Sequence, residues 1–474
     1  MKIRFLELFK PDPPACEFLK DPEEIDRSYR YWRIRQMYST FTGYAVYYFV
    51  RQNMAIAMPL MESALGITKT SLGAFLSLHK ILYGISKFLN GILGDRLNPR
   101  YFMFIGLFLS ALMNIFFGFS SAVVTMGVFW MMNGWFQGMG FPPCARVLSH
   151  WFSPKERGIT WSIWNSSHQV GALSILILAG YLAKQEVNFT LHIPFLSNAG
   201  QPFSVHLGSW QLCFIAPALI AIAVSFFLMN RLRDTPESLG LPPVEIYKKE
   251  EGTKAEDACR TLDGAAFRKF LKRYVFGNRY IWYICFANFF IYILRYAFLD
   301  WAPSCLYQMK GVALHHAGWM TAGFELFGAI GSIVAGLITD RYMKGRRAPV
   351  CVVFMLFTIG LVFLYWKAPA GSNLYISFLL ITLGFFIYGP QFLVAVMTAD
   401  QATKHAAATA IGLTGFFGYL SGIISGWGLG WTVHHYGWDA SFIFLMVCAL
   451  CAAFFFILVW NARPVKEDFS DMLS

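Results

Sequence analysis

Long apolar stretches recur along the chain and are separated by short polar segments. A helix needs about twenty mostly apolar residues to cross the hydrocarbon core of a bilayer, and such windows can be placed twelve times. The pattern predicts an all-α membrane protein with twelve transmembrane helices, at about 38–60, 70–92, 101–120, 124–145, 157–182, 210–229, 280–303, 318–339, 349–366, 374–398, 407–430 and 438–460.

The longest hydrophilic interruption lies between the sixth and seventh windows. It contains the run KKEEGTKAEDACR and three prolines, which favour a cytoplasmic, partly disordered linker with one amphipathic helix near 265–274. A second short amphipathic helix is predicted at about 21–36. The predicted organisation is a cytoplasmic N-terminal segment 1–37, a six-helix half 38–229, a linker 230–279, a second six-helix half 280–460 and a cytoplasmic tail 461–474.

Composition supports a membrane protein, because 56% of the residues are hydrophobic and only 14% are charged, against about 25% charged in soluble domains. The net charge of +12 raises the question of nucleic-acid binding. However, the lysines and arginines concentrate in the two tails and the even-numbered loops, as the positive-inside rule requires. We therefore expect cytoplasmic termini, a lipid bilayer around the chain and no nucleic-acid partner.

Two arginines stand inside predicted spans, where a charged side chain costs about 2.5 kcal/mol or more and is read as functional by default. Arg51 lies in the first window and Arg295 in the seventh. Each arginine has a tyrosine three residues before it and a proline eight residues after it: Tyr48 and Pro59 around Arg51, Tyr292 and Pro303 around Arg295. The shared template indicates an internal duplication.

Two polar loops extend this duplication. GILGDRLNPR at 91–100 and GLITDRYMKGRR at 336–347 stand at nearly the same distance from their arginines, 44 residues from Arg51 to Asp95 and 45 from Arg295 to Asp340. Parallel six-helix repeats place substrate sites at mid-depth between the halves, so we expect Arg51 and Arg295 to face each other there. Gating or structural roles are assigned to five residues: Asp95, Arg96, Asp340, Arg341 and the span acid Glu325.

Two guanidinium groups in a medium of low dielectric repel each other and need an anion between them. Their forks match phosphate oxygens, and a phosphate monoester carries close to two negative charges at neutral pH. Pairing with membrane acids is the alternative, but Glu325 is the one clearly interior acid and Asp300 lies near a span end. On helical spacing, Tyr44 and Tyr48 share a face with Arg51, as Asn288 and Tyr292 do with Arg295.

Three other basic or titratable residues stand in spans. His168 could donate a hydrogen bond to phosphate, change charge between about pH 5 and 8, or bond to a neighbouring helix. Lys80 and Lys87 lie seven residues apart on one helix face. They could contact substrate, set a positive potential at the mouth of the cavity, or pair with Glu325, and spacing does not rank these roles.

The chain lacks the sequence features of an ATP-driven pump and of an enzyme. No GxxxxGK[ST] motif stands in the loops, and no loop is large enough for an ATPase domain. The spans contain no metal cluster and no pairing of a nucleophile with a base. We therefore expect a transporter driven by a gradient or by exchange, with no cofactor, no metal site and no enzymatic activity.

Six motifs stand out in the chain: GILGDRLNPR, GWFQGMGFPPC, KERGITWSIWNSSHQVG, RDTPESLGLPP, ILRYAFLDWAP and FFIYGP. With them, nearly all of residues 30–462 resembles the organophosphate:phosphate antiporters of the major facilitator superfamily. This bacterial group includes carriers of glycerol 3-phosphate and of hexose 6-phosphate, and a hexose-phosphate sensor.

The resemblance implies the major facilitator fold, exchange for inorganic phosphate by alternating access, a monomer and the bacterial inner membrane. It implies that Arg51, Arg295 and His168 bind phosphate and that Lys87 contributes to substrate binding; Lys80 is added here as a further substrate-binding candidate. The implied lining consists of polar and aromatic side chains: Tyr44, Tyr48, Tyr83, Gln137, Trp164, Asn165, Tyr292, Tyr388 and Tyr419.

Three departures from the family pattern lie at or near this site: Gln169 and Val170 after His168, Phe141 in place of a frequent tryptophan, and the extra Lys80. They affect the expected sugar specificity more than the expected phosphate chemistry. We expect a hexose-phosphate antiporter, with glucose 6-phosphate as the first substrate and glycerol 3-phosphate as the alternative. A membrane sensor that binds hexose phosphate and signals to a kinase is the third hypothesis.

Overall fold

A computed structural model describes residues 10–94, 97–153, 156–191, 203–248, 272–343, 346–402 and 407–462. The first part contains helices α1 (Pro22–Phe49), α2 (Met54–Leu65), α3 (Lys69–Gly94), α4 (Pro99–Phe119), α5 (Val123–Gln137), α6 (Phe141–Trp151), α7 (Arg157–Asn165), α8 (Ser167–Leu182), α9 (Ser209–Arg231) and α10 (Val244–Tyr247). The second part contains α11 (Arg279–Lys310), α12 (Leu314–Arg341), α13 (Ala348–Lys367), α14 (Asn373–Gln401), α15 (Ala407–Ile423) and α16 (Leu429–Leu458).

Helix α1 begins well before the first predicted span. Asp21 caps it by accepting a hydrogen bond from the backbone N–H of Glu23, Pro22 occupies the first helical position, and Glu23 and Glu24 complement the helix dipole. The helix then runs without interruption to Phe49. The predicted amphipathic segment and the first half of the first span are therefore one helix.

Three windows predicted as single helices each contain two. The window 38–60 is interrupted between α1 and α2, 124–145 between α5 and α6, and 157–182 at Ser166 between α7 and α8. At the second of these breaks, glycines follow Gln137, and the prolines at the start of α6 occupy first-turn positions where a missing N–H costs nothing. The apolar content of a window of about twenty residues does not reveal such breaks.

Among the described residues, seven helical stretches are long and apolar enough to cross a membrane: Pro99–Phe119, Ser209–Arg231, Arg279–Lys310, Leu314–Thr339, Ala348–Lys367, Asn373–Gln401 and Thr409–Leu458. The last combines α15, a π-helical turn at Ile424–Gly428 and α16. Inside α16, Gly437 has φ +77°, a left-handed conformation that favours glycine. This kink lies between the last two predicted windows.

An antiparallel hairpin follows α8, where the sequence predicts only an external loop. Strand β1 (Val187–Leu191) pairs with β2 (Phe203–Leu207), with Val187 opposite Leu207 and Leu191 opposite Phe203. In the predicted linker, Glu237–Leu239 forms a 3-10 turn and Lys272–Phe276 a π-helical turn. Most of the predicted linker helix at 265–274 lies outside the described residues.

The chain forms two compact units. The first comprises Met1–Leu241 with Asp300–Ala322, and the second comprises Pro242–Leu299 with Gly323–Ser474. In both, glycines allow helices to approach closely: Gly171 of α8 lies against the Ala45 backbone of α1, and Gly331 of α12 against the Phe385 backbone of α14. The first unit thus takes the end of α11 and the start of α12 from the second half of the sequence.

Candidate functional site

Arg51 lies outside any helix. It stands in the segment 50–53 between α1 and α2, half-buried, and its guanidinium carbon is 4.3 Å from the ring centroid of Tyr83 and 5.2 Å from that of Tyr48. Cations bind favourably to aromatic faces at these distances. The prediction of a continuous helical stripe through Arg51 is therefore wrong beyond Phe49, although Tyr48 does contact the arginine.

Buried amides stabilise the break that carries Arg51. The backbone carbonyl of Val50 accepts hydrogen bonds from Asn114 Nδ2 at 2.9 Å and Asn133 Nδ2 at 2.8 Å. Asn53 Nδ2 in turn donates to Asn114 Oδ1 and to the Cys213 carbonyl, each at 3.0 Å. Backbone groups freed inside a membrane need such partners, so these side chains fix the position of the turn.

Gln137 belongs to the same network. It is 3% exposed, and its Nε2 donates to the Tyr47 carbonyl at 3.0 Å and to Ser110 Oγ at 2.8 Å. The structure thus gives Gln137 a supporting role at the end of α1, next to the break that carries Arg51, and its predicted contact with substrate stays a prediction. Asn114 and Asn133 were not identified from the sequence, where an asparagine in an apolar window is the only signal.

An aromatic cluster adjoins this turn. Tyr44 lies 4.8 Å from Trp164 between ring centroids, Phe141 lies 5.6 Å from Trp164, and Trp161 lies 5.5 Å from Trp164. Lys87 Nζ is 4.5 Å from the centroid of Phe141. Tyr44, Trp164 and Lys87 were predicted together and are brought together; Trp161 was missed, although its spacing of three from Trp164 places both on one helix face.

His168 lies in the first turn of α8, directly after the break at Ser166. Its Nδ1 donates to the backbone carbonyl of Asn165, because a carbonyl oxygen can only accept, and its ring centroid lies 5.8 Å from that of Tyr48. With Nδ1 holding a proton, Nε2 can donate only in the charged imidazolium. Asn165 itself is exposed at the end of α7.

Lys80 forms an ion pair with Asp300 at 2.5 Å, and both side chains are more than nine-tenths buried. Gln52 Nε2 donates to the other Asp300 oxygen at 3.2 Å. Of the three roles left open for Lys80, pairing with an acid fits this geometry, but the acid is Asp300 and not Glu325. Contact of Lys80 with substrate stays a prediction.

Arg295 has a different setting in the second unit. It stands within the uninterrupted helix α11 and is 8% exposed. Its Nε donates to the Tyr388 hydroxyl at 2.9 Å, its guanidinium carbon is 4.7 Å from the Tyr388 ring centroid, and the hydroxyl donates to Glu325. Tyrosine thus links a buried cation to the buried acid.

The other predicted residues of the second unit surround this group. The Tyr292 ring centroid lies 5.8 Å from the Arg295 guanidinium, and Gln391 Nε2 donates to the Tyr292 hydroxyl at 3.4 Å. Helix α15 approaches closely because Gly418 lies against Tyr292, and the half-buried Tyr419 follows it. The structure thus groups Arg295, Tyr292, Tyr388 and Glu325.

The structure describes only part of the predicted gating residues in the two polar loops. Asp95 and Arg96 lie outside the described residues, as does the side chain of Asp340. Arg341 ends α12, is exposed, and lies 6.0 Å from the Tyr342 ring centroid. Their roles stay predictions.

The family model of the Major Facilitator Superfamily matches residues 40–426 and 311–472. The glycerol-3-phosphate transporter of Bacillus subtilis is 41% identical over 98% of this chain and 99% of its own length. A probable hexose phosphate transport protein of Chlamydia pneumoniae is 38% identical over 96% of this chain and 97% of its own. The membrane sensor protein UhpC of Escherichia coli is 34% identical over 97% and 99%.

Two of these relatives are named as transport proteins and one as a membrane sensor protein, and none of the three is named as an enzyme. The matches extend over both halves of the chain, and the helical fold with its candidate spans agrees with them. The chain therefore belongs to the major facilitator superfamily of multi-pass membrane transporters, in its organophosphate:phosphate antiporter branch.

Proposed function

We propose that the protein exchanges a sugar phosphate, with glucose 6-phosphate as the first candidate, for inorganic phosphate by alternating access. The observation that carries the proposal is the setting of Arg51. Its guanidinium is held at a helix break against the rings of Tyr48 and Tyr83, and discontinuous helices are where transporters of this kind bind ions and substrates. The names of the relatives support a phosphorylated substrate.

In this proposal Arg51, Arg295 and His168 bind the phosphate group. Each guanidinium offers a planar pair of N–H donors to two phosphate oxygens, and a charged His168 offers one more through Nε2. Inorganic phosphate and a phosphate monoester present the same oxygens, so either can occupy the site. A site that holds two cations favours movement between states when an anion neutralises them, which favours exchange over one-way release.

The remainder of the substrate would contact the lining residues. The cluster of Tyr44, Phe141, Trp161 and Trp164 beside Lys87 offers aromatic faces next to a cation. A hexose has an extended ring with C–H groups that can pack on such faces, whereas the three-carbon glycerol chain covers much less of them. This surface favours a hexose phosphate.

Two alternatives have specific support. Glycerol 3-phosphate carries the same phosphate group as a hexose phosphate, and the B. subtilis relative is named for it. A sensor of hexose phosphate that signals to a membrane kinase has the E. coli relative as its support. Carrier and sensor use the same binding residues, so they differ in what happens after binding.

We also propose twelve spans, cytoplasmic termini, a monomer and a location in the bacterial inner membrane. The exposed Cys16 precedes α1, so a membrane-impermeant maleimide should label it in opened membranes and spare it in intact cells. Labelling in intact cells would place the N-terminus outside. A variant with Cys259→Ser removes the other cysteine predicted to be cytoplasmic.

The test of function is uptake of labelled glucose 6-phosphate into proteoliposomes. Vesicles loaded with inorganic phosphate are compared with vesicles loaded with sulfate, and unlabelled glycerol 3-phosphate competes in a third series. Uptake that needs internal phosphate and resists competition by glycerol 3-phosphate supports the proposal. Strong inhibition of uptake by unlabelled glycerol 3-phosphate favours the glycerol 3-phosphate carrier. Binding of glucose 6-phosphate without its uptake favours the sensor.

A further inference from the structure

Four arginines surround the C-terminal end of α9. Arg35 of α1 donates from Nε to the Arg231 carbonyl at 3.2 Å and from Nη2 to the Asn230 carbonyl at 3.1 Å. Arg100, at the start of α4, donates from Nε to the Met229 carbonyl. Arg233 Nη1 donates to the Asn230 carbonyl at 3.1 Å. All of these groups belong to the first unit.

The cluster has more positive charge than its surroundings offset. The C-terminus of a helix supplies about half a negative charge. Burial and the charges of Arg100 and Arg35 lower the pKa of Arg233, while Asp12 acts in the opposite direction. The carboxylate of the neighbouring Asp234 is already engaged by Arg146, at 2.7 Å and 3.1 Å.

Unused donors remain in this cluster. Within the described ranges, neither Nη of Arg100 and no side-chain N–H of Arg231 has a hydrogen-bond acceptor in the protein. The guanidinium carbon of Arg231 lies 5.8 Å from the ring centroid of Phe227. These donors are therefore available to an anion that comes from outside the protein.

An aromatic surface continues from the cluster along α1, α4 and α9. Phe226 is 49% exposed and packs on Phe104 and Phe108, with ring centroids 5.3 Å and 6.0 Å apart. Tyr38 is 39% exposed and lies 6.2 Å from Phe227. Helices α4 and α9 are long and apolar enough to span a membrane. In a bilayer, their exposed rings would face acyl chains and the arginines at their ends would stand at headgroup level.

We infer that Arg35, Arg100, Arg231 and Arg233 form a binding site for the phosphate headgroup of an anionic phospholipid, whose acyl chains lie along the aromatic surface of α1, α4 and α9. Basic clusters between transmembrane helices on the cytoplasmic side bind such headgroups. The distribution of lysine and arginine predicts that this end of the first unit is cytoplasmic. The site is separate from the residues proposed for transport.

Native mass spectrometry of the full chain in detergent tests this site. Phosphatidylglycerol and phosphatidylcholine with the same acyl chains are titrated separately. We expect phosphatidylglycerol to bind about tenfold more tightly or better, because only its headgroup has a net negative charge. Arg100→Gln with Arg231→Gln should remove most of that preference and leave phosphatidylcholine binding unchanged.

A matched control removes two exposed charges elsewhere in the first unit, Lys20→Gln with Arg27→Gln, and should keep the preference. If the double variant does not fold, Arg231→Gln alone is the test variant, because Arg231 makes no side-chain hydrogen bond within the described ranges. Equal binding of the two lipids, or an equal loss in the control, would overturn the inference. Displacement of phosphatidylglycerol by millimolar inorganic phosphate would also overturn it, because the site would then bind free phosphate.

Discussion

The hydroxyl of Tyr388 joins a buried arginine to a buried carboxylate in the second unit. It accepts from Arg295 and donates to Glu325. A direct pair between Arg295 and Glu325 would satisfy the arginine and leave it little affinity for a substrate. The tyrosine bridge orients the guanidinium through Nε. Among the described residues its Nη groups have no hydrogen-bond acceptor, so they are available for the function proposed above.

Tyr388→Phe tests this bridge. The change removes one acceptor from a buried arginine and one donor to a buried carboxylate, and each such loss costs about 1–3 kcal/mol. We expect the concentration of phosphate needed for half-maximal exchange to rise about tenfold, with a lower melting temperature. Tyr375→Phe, at an exposed position of the same helix, should change neither quantity. An unchanged exchange curve would show that the bridge does not orient Arg295.

His168 gives a prediction about pH. Because Nδ1 holds a proton for the Asn165 carbonyl, Nε2 can donate to phosphate only when the ring is charged. The ratio of phosphate affinity in the wild type to that in His168→Gln should therefore fall as the pH rises from about 5.5 to 8. Ionisation of phosphate is common to both proteins and cancels in the ratio. A ratio that is constant with pH would mean that His168 does not act as a charged donor.

At the scale of residues, the sequence predicted some of the contacts in the candidate site. Depth in an apolar window identified Arg51 and Arg295, and helical spacing identified Tyr48 and Tyr292 as their neighbours. The contact of Tyr83 with Arg51 comes from a different helix, so spacing along one helix could not predict it.

At the scale of elements, the break between α1 and α2 is held by amides from α4 and α5. Asn133→Leu removes a 2.8 Å hydrogen bond to the Val50 carbonyl and leaves Ser110 without its buried acceptor. We expect destabilisation of about 1–3 kcal/mol and a loss of phosphate exchange larger than the loss of folded protein, because Arg51 shifts with the turn.

The measurements are the melting temperature and the initial exchange rate per folded molecule. Asn373→Leu, at an exposed helix start, is the control and should keep both. If Asn133→Leu melts earlier but exchanges normally per folded molecule, the amides stabilise the fold without positioning Arg51.

The apolar pattern predicts where helices lie but not where they break. Every predicted window falls on helical structure, yet three of them contain two helices each. The break between α1 and α2 depends on side chains such as Asn114 and Gln137, which come from other helices and replace missing backbone hydrogen bonds. A window average has no information about such partners.

At the scale of the whole molecule, Asp300–Ala322 packs with the first unit although it follows Arg295 in the sequence. The buried pair of Lys80 and Asp300 anchors it there. Gln308 Nε2 adds a hydrogen bond to Glu62 at 2.6 Å, and Gly318 lies against the Leu176 backbone. The internal duplication predicts six helices per half. It gives no indication that a segment of the second half packs with the first unit.

A double-mutant cycle tests the anchor. Lys80→Met or Asp300→Leu alone leaves one buried charge without its partner, which costs about 3–5 kcal/mol. The double variant leaves no unpaired charge in the pair and should recover most of the loss in melting temperature. Arg30→Gln, which removes an exposed pair with Asp26, should have little effect. Additive losses in the double variant would mean that the two charges do not stabilise each other.

The central proposal is that Arg51 and Arg295 each use a guanidinium group to bind phosphate. Its most direct test is exchange of labelled inorganic phosphate by proteoliposomes that contain the wild type, Arg51→Lys, Arg295→Lys or the exposed control Arg30→Lys. Lysine keeps the charge and removes the bidentate fork. We expect each of the first two variants to lose phosphate exchange by about tenfold or more and the control to retain it. Normal exchange in either variant would show that the guanidinium fork of that arginine does not bind phosphate.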